Sequence, residues 1–365
     1  MPRTVYHTPL FLATVFFVCH AAQSRAWTEP VGKAPTLPRP DRAPAAPTPD
    51  DAIAESLGAA QADMNNKRYD AVIAKCTAVL ATQPDNYGAL TMRGLAWHNK
   101  GLASADNMDL ENAVADHTAA LKIKPNDVRE LLWRSASYMV KGDPQAALRD
   151  LSRAIELDPS SASAHVLRGS CYVRLRAGAL ALADYTKAIE LDPNQPESYS
   201  GRALVYVTFA GMGLVPGNRP AVEDYQAAVQ DYRQAIELCA SDIAPLASAK
   251  YINELAWLQA TCPEKQIRDG QAALAGAKRA CELAEYKEFN YLDTLAAAYA
   301  ETGDFENAIT WEYGAVDLAS GQPRVQLLQR AKLYEKHQPF RLPSNPVPPL
   351  SGPPTGKKQV AGDKQ

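Results

Sequence analysis

The sequence has no excess of positive charge. Its 38 lysines and arginines stand against 41 aspartates and glutamates, for a net charge of −3. A nucleic-acid partner asks for a basic stripe, so this balance argues against one. Cysteine is also scarce. Six widely spaced cysteines do not make the framework of a disulfide scaffold, and none has a partner at zinc-ligand spacing. No apolar run is long enough to span a bilayer, which takes about 20 residues. There is no Gly-x-Ser-x-Gly, no His-Glu-x-x-His and no Gly-rich phosphate loop. The histidines His98, His117, His165 and His337 share no spacing. Together these absences leave no catalytic group, metal or cofactor to expect.

The first 26 residues read as a secretory signal peptide. Arg3 precedes a short apolar core from Leu10 to Val18, and the small residues Ala21, Ala22, Ser24 and Ala26 follow. Cleavage is expected between Ala21 and Ala26, which makes the protein exported, either secreted or periplasmic. Lipid anchoring through Cys19 is the alternative, although Val18 is a poor small-residue neighbour for it. Residues 27–50 are rich in proline and alanine. Residues 339–365 are rich in proline and then basic. Neither stretch has apolar periodicity, and both read as extended or disordered. Export removes Cys19 and leaves Cys76, Cys171, Cys239, Cys262 and Cys281. Most are expected as small core residues, and an oxidising compartment would permit a disulfide between Cys262 and Cys281.

Between these ends the chain repeats itself. Pro125, Pro159 and Pro193 lie 34 residues apart, and each closes a similar phrase, such as Ile155-Glu156-Leu157-Asp158 before Pro159. A fixed period of that length means stacked copies of one supersecondary unit. A unit so small cannot bury its own apolar face, so its neighbours must cover it, and the chain becomes a ribbon with two long surfaces.

The residues within each period identify the unit. The clearest copy runs from Ala162 to Gln195, with Gly169, Tyr172, Ala181, Tyr185, Ala188 and Pro193. The copy before it has Ser135, Tyr138, Ala147, Leu151, Ala154 and Pro159 in the same places, and the one before that Gly94, Trp97, Ala113, His117, Ala120 and Pro125. A later copy carries Ala203, Tyr206, Ala228, Tyr232 and Ala235. Two copies hold insertions, one around Leu102 to Asp109 and a larger one containing Gly211 to Gly217. A worn copy covers about 53–86, a shorter helical pair covers 251–284, and a last copy carries Ala296, Tyr299, Ala308 and Ala315. This pattern resembles the tetratricopeptide repeat family. The resemblance implies an all-α solenoid of six to seven antiparallel helix pairs over residues 51–320, with a capping helix over 321–338.

Four consecutive copies carry arginine where the family prefers leucine: Arg93, Arg134, Arg168 and Arg202. The same four have aspartate at one place in the second helix: Asp116, Asp150, Asp184 and Asp231. Opposite charges recurring together on opposite helices predict a structural ion-pair ladder, because a guanidinium can grip a carboxylate with two hydrogen bonds. A row of arginines facing an acidic ligand, or simple exposure, are the competing readings.

The resemblance also implies a concave groove lined by the first helices. Its candidate lining is Thr91, Leu95 and His98, then Leu132 and Met139, then Val166, Ser170 and Val173, then Leu204 and Val207. This apolar strip lacks the lysine, asparagine and arginine pattern with which one subgroup grips chaperone C-termini. It suits an amphipathic helix or an extended apolar peptide. Alternatively the inserted loops or the Pro-rich ends fold over it, since exposed apolar strips are rarely left uncovered. The function expected is a non-catalytic scaffold that binds a protein or peptide. An accessory or envelope-processing factor with an active site in the inserted loops is the alternative.

Overall fold

The structure, a computed structural model, describes residues 48–104, 106–210, 220–239 and 245–343. The segment expected as a signal peptide, the rest of the chain up to residue 47, residues 211–219 and those from residue 344 lie outside the described residues. Fifteen α-helices and no strand occur among the described residues. They are α1 (Pro49–Asn65), α2 (Tyr69–Thr82), α3 (Tyr87–Ser104), α4 (Asn107–Ile123), α5 (Val128–Lys141), α6 (Pro144–Leu157), α7 (Ala162–Arg174) and α8 (Gly178–Leu191). The rest are α9 (Pro196–Phe209), α10 (Ala221–Cys239), α11 (Pro245–Thr261), α12 (Gly270–Leu283), α13 (Phe289–Glu301), α14 (Phe305–Leu318) and α15 (Gly321–Tyr334). Each packs mainly on its neighbours in sequence, as a solenoid of seven pairs and a final helix requires.

Local chemistry sets the helix ends. Short polar side chains take the orphan N–H groups of first turns: Asp127 from Arg129 at 3.0 Å, Asp143 from Ala146 at 2.9 Å and Asp304 from Asn307 at 3.1 Å. At the other end, the recurring prolines act through the residue before them. A proline ring clashes with a helical predecessor and pushes it to extended backbone. Gln83, Lys124, Asp158 and Asp192, each just before a proline, have ψ of 80°, 85°, 88° and 92°. The same corner is therefore turned four times.

Small residues let the helices of a pair approach. Tyr185 on α8 is 1% exposed and lies against two glycines, Gly169 of its own pair and Gly201 of the next. A Cβ on Gly201 would stand 2.2 Å from the Tyr185 ring. The first insertion lengthens α3 and α4 to 18 and 17 residues, where α5 to α9 have 13 or 14.

Cys262 and Cys281 are free, buried thiols in different core clusters, with no disulfide between them. Residues 339–343, expected to start a disordered tail, instead pack back along the solenoid, because His337 turns the chain. His337 adopts a left-handed φ of 55° with its ring stacked on Phe305, 5.1 Å between centroids, and Gln338 N–H donates to Leu333 C=O at 2.9 Å.

Candidate peptide-binding surface

The arginine–aspartate pairs lie within each helix pair. Arg93 Nε and Nη2 each donate to Asp116 at 2.8 Å. Arg134 holds Asp150 at 2.8 and 2.7 Å, Arg168 holds Asp184 at 2.7 Å twice, and Arg202 holds Asp231 at 2.8 Å twice. Two of these arginines reach a third helix: Nη1 donates to Thr77 at 3.0 Å from Arg93, and to Thr118 at 3.1 Å from Arg134. Each of those two thus ties its own pair to the preceding one. Burial pushes Asp184 up, but Arg168 and His165 together outweigh it and hold the carboxyl below its ordinary value. Asp231 has Arg202 alone, and there burial prevails and the carboxyl stays raised. In all four pairs both carboxylate oxygens accept from the arginine of the same helix pair.

The candidate apolar strip is largely interior. Leu95, His98, Met139, Val166, Ser170 and Val173 are buried, while Thr91, Leu132, Leu204 and Val207 are half-buried. The reason is packing between consecutive first helices. Met139 on α5, Val166 and Val173 on α7, and Val205 and Phe209 on α9 share one core cluster. The polar members find partners nearby, with His98 Nδ1 2.9 Å from Ser137 Oγ and Ser170 Oγ 2.8 Å from Tyr185 OH, while His98 Nε2 is buried without a partner. Burial first, and His117 second, lower His98 to about 3, so it is neutral. His117, also fully buried, pairs with Glu130 at 2.8 Å.

The half-buried Val207 leads to a different surface, along the C-terminal ends of α9, α11 and α13. The final residues of α11 present carbonyls that have no partner in their own helix. The returning segment supplies donors to them. Leu342 N–H donates to Thr261 C=O at 2.8 Å, and Arg341 Nη1 donates to Ala260 C=O at 3.2 Å. Arg341 also makes an ion pair with Glu301 at the end of α13, a carboxylate held from the other side by Arg268 Nε at 3.0 Å. Phe340 lies on Trp257 with ring centroids 5.7 Å apart, and the Arg330 guanidinium faces both rings at 5.6 and 5.4 Å. Leu342 packs on the cluster of Tyr225, Leu258 and Cys262, beside Val207 and Ala210. One short irregular stretch of chain thus meets the solenoid through backbone, charge and apolar contacts together.

Sequence reading missed this cradle, since Trp257, Glu301 and Arg268 stand at no repeating place. It also missed a fifth bidentate pair, Arg330 on Asp293, 2.8 Å at both contacts, which anchors α15 to α13. Glu312 lies 3.4 Å from the same arginine with no exposure; burial first, and Asp293 second, hold its carboxyl well above the usual range. Among the described residues no group of three or more His, Cys, Asp or Glu side chains could hold a metal, and no helix is long and apolar enough to cross a membrane. The second insertion, where an active site was the alternative, lies outside the described residues.

Comparison with known proteins bears on the fold. A tetratricopeptide repeat family model matches residues 136–196. No curated protein matches the sequence. Among solved structures, a tetratricopeptide repeat protein from Parabacteroides merdae is 16% identical with a TM-score of 0.51, over 78% of this chain and 98% of that one. Cut9, in the APC/C hetero-tetramer Cut9–Hcn1, is 15% identical with a TM-score of 0.52, over 78% of this chain and 56% of that one. A Thermus thermophilus tetratricopeptide repeat protein is 21% identical with a TM-score of 0.43, over 56% of this chain and 98% of that one. Residues 136–196 thus match the tetratricopeptide repeat model, and the stacked helix pairs share the solenoid fold of the first two structures.

Proposed function

We propose that the protein is an exported, non-catalytic scaffold that holds a polypeptide partner in extended form along the ends of α9, α11 and α13. The observation that carries this reading is the chain's own segment there: Phe340 on Trp257, Arg341 on Glu301 and Leu342 N–H on Thr261 C=O. A surface that satisfies main-chain donors, an arginine and two apolar side chains has what peptide recognition requires. The export half of the reading rests on residues 1–26, and N-terminal sequencing of the mature protein should begin between Ala22 and Trp27.

The binding half is tested by affinity capture with the full mature chain and its Glu301→Lys variant. One polypeptide recovered by the wild type and lost by the variant, with both melting alike, is the expected result. Equal recovery by the two would overturn it.

A further inference from the structure

The segment in the cradle belongs to the protein itself, and this bears on how a partner reaches the site. Residues 340–342 are half-buried and Pro343 is exposed, so the segment lies on the solenoid and does not form its core. Its main-chain attachment is slight: one backbone hydrogen bond, from Leu342 to Thr261. Its side-chain contacts are specific, and each faces a group with a different demand. Trp257 and Arg330 ask for an aromatic ring, because the ring face meets a cation and the ring body meets an indole. Glu301, together with Ala260 C=O, asks for a cation with several donors. The cluster of Tyr225, Leu258 and Cys262 asks for an aliphatic side chain. Pro339, just before the aromatic residue, fixes its own φ, and the left-handed turn at His337 aims the segment at the cradle.

We propose that residues 339–343 are an autoinhibitory strap occupying a peptide site, and that the ligand of this site is an extended segment with an aromatic–basic–aliphatic triplet. The proposal rests on the reading of the cradle as a peptide site and adds its specificity and regulation. A tethered strap competes at an effective concentration on the order of millimolar. Only a partner that adds contacts beyond the triplet displaces it, so the strap acts as a threshold against weak or partial matches.

The probe is a fluorescein-labelled peptide with the sequence of residues 336–345, and binding is read by fluorescence anisotropy. It is titrated into the full chain and into the full-length Phe340→Ala/Leu342→Ala variant, whose strap has lost both apolar anchors. The variant is expected to bind at least tenfold more tightly than the wild type. A version of the peptide with its arginine replaced by glutamine is expected to bind the variant at least fivefold more weakly than the original. Equal affinity for wild type and variant would overturn the strap while leaving the cradle as a peptide site. Binding to neither would overturn the cradle reading as well. A wild-type dimer in solution that the variant loses would assign the cradle to a second copy's segment and overturn the proposal. If the double variant does not melt in a single transition, Arg341→Gln, which removes the ion pair with Glu301 and the guanidinium donor to Ala260 C=O, takes its place with the same outcomes.

Discussion

Arg168 grips Asp184 with Nε and Nη2, each 2.7 Å from a carboxylate oxygen, while His165 Nδ1 lies 2.9 Å from the same carboxylate. The aspartate is 6% exposed and the arginine 21%. Removing one partner of a fully buried pair costs about 3–5 kcal/mol, because the other charge is stranded. Arg168→Ala leaves Asp184 with His165 and some access to water, so the expected loss is about 2–4 kcal/mol. Urea unfolding measures it, and an unchanged midpoint would show that the ladder adds no stability.

Glu254 on α11 gives the stability a pH dependence of definite sign. It is 5% exposed, its nearest cation is Lys250 Nζ at 3.9 Å, and burial pushes it up to about 7. Between the unfolded value of 4.5 and about 7 the folded protein keeps a proton that the unfolded chain releases. The contribution of Glu254 is therefore full below pH 4.5, falls as pH rises and levels above about 7, by about 3 kcal/mol in all. Glu254→Gln should remove this component, making the variant the more stable protein at pH 8. Melting curves of both proteins from pH 4 to 8 test it, and a constant difference between them refutes it.

Two glycine-to-alanine substitutions should act in opposite directions. A Cβ on Gly201 meets the Tyr185 ring at 2.2, 2.5 and 2.7 Å. Overpacking of this kind costs about 1–3 kcal/mol or more, so Gly201→Ala should lower the melting temperature. Gly58, on an exposed face of α1, has nothing within 4 Å of such a Cβ. Gly58→Ala should stabilise by about 1 kcal/mol through helix propensity. Calorimetry on the two variants checks both signs.

The cysteines should be silent in the native protein. All five described cysteines are buried, and burial pushes Cys76 and Cys262 up to about 11 and Cys171 and Cys281 to about 12. The thiolate is the reactive form, so an aromatic disulfide reagent at pH 8 should label none of them until urea unfolds the chain. Rapid labelling without denaturant would refute the buried placement.

The repeat was legible in the chain before any fold was known. The period of the prolines, the small residues at Gly169, Ala181 and Ala188, and the co-occurrence of Arg168 with Asp184 all express contacts within one helix pair. Such contacts join residues close in sequence and recur with every copy, so they leave a periodic trace. The corner before each proline is more local still, since a proline acts on its immediate neighbour. What happens between pairs emerges with the assembled solenoid. The packing of α5, α7 and α9 on one another buries Val166 and Val173, and that depends on the rotation from one repeat to the next, which no single repeat encodes. The strap lies further beyond reach. Arg341 meets the carbonyl of Ala260 across 81 residues, on a surface built from the ends of three helices, and Phe340, Arg341 and Leu342 occur once and share no period with the rest. A contact made once leaves no repeating mark in the chain, and its geometry exists only when the solenoid is assembled.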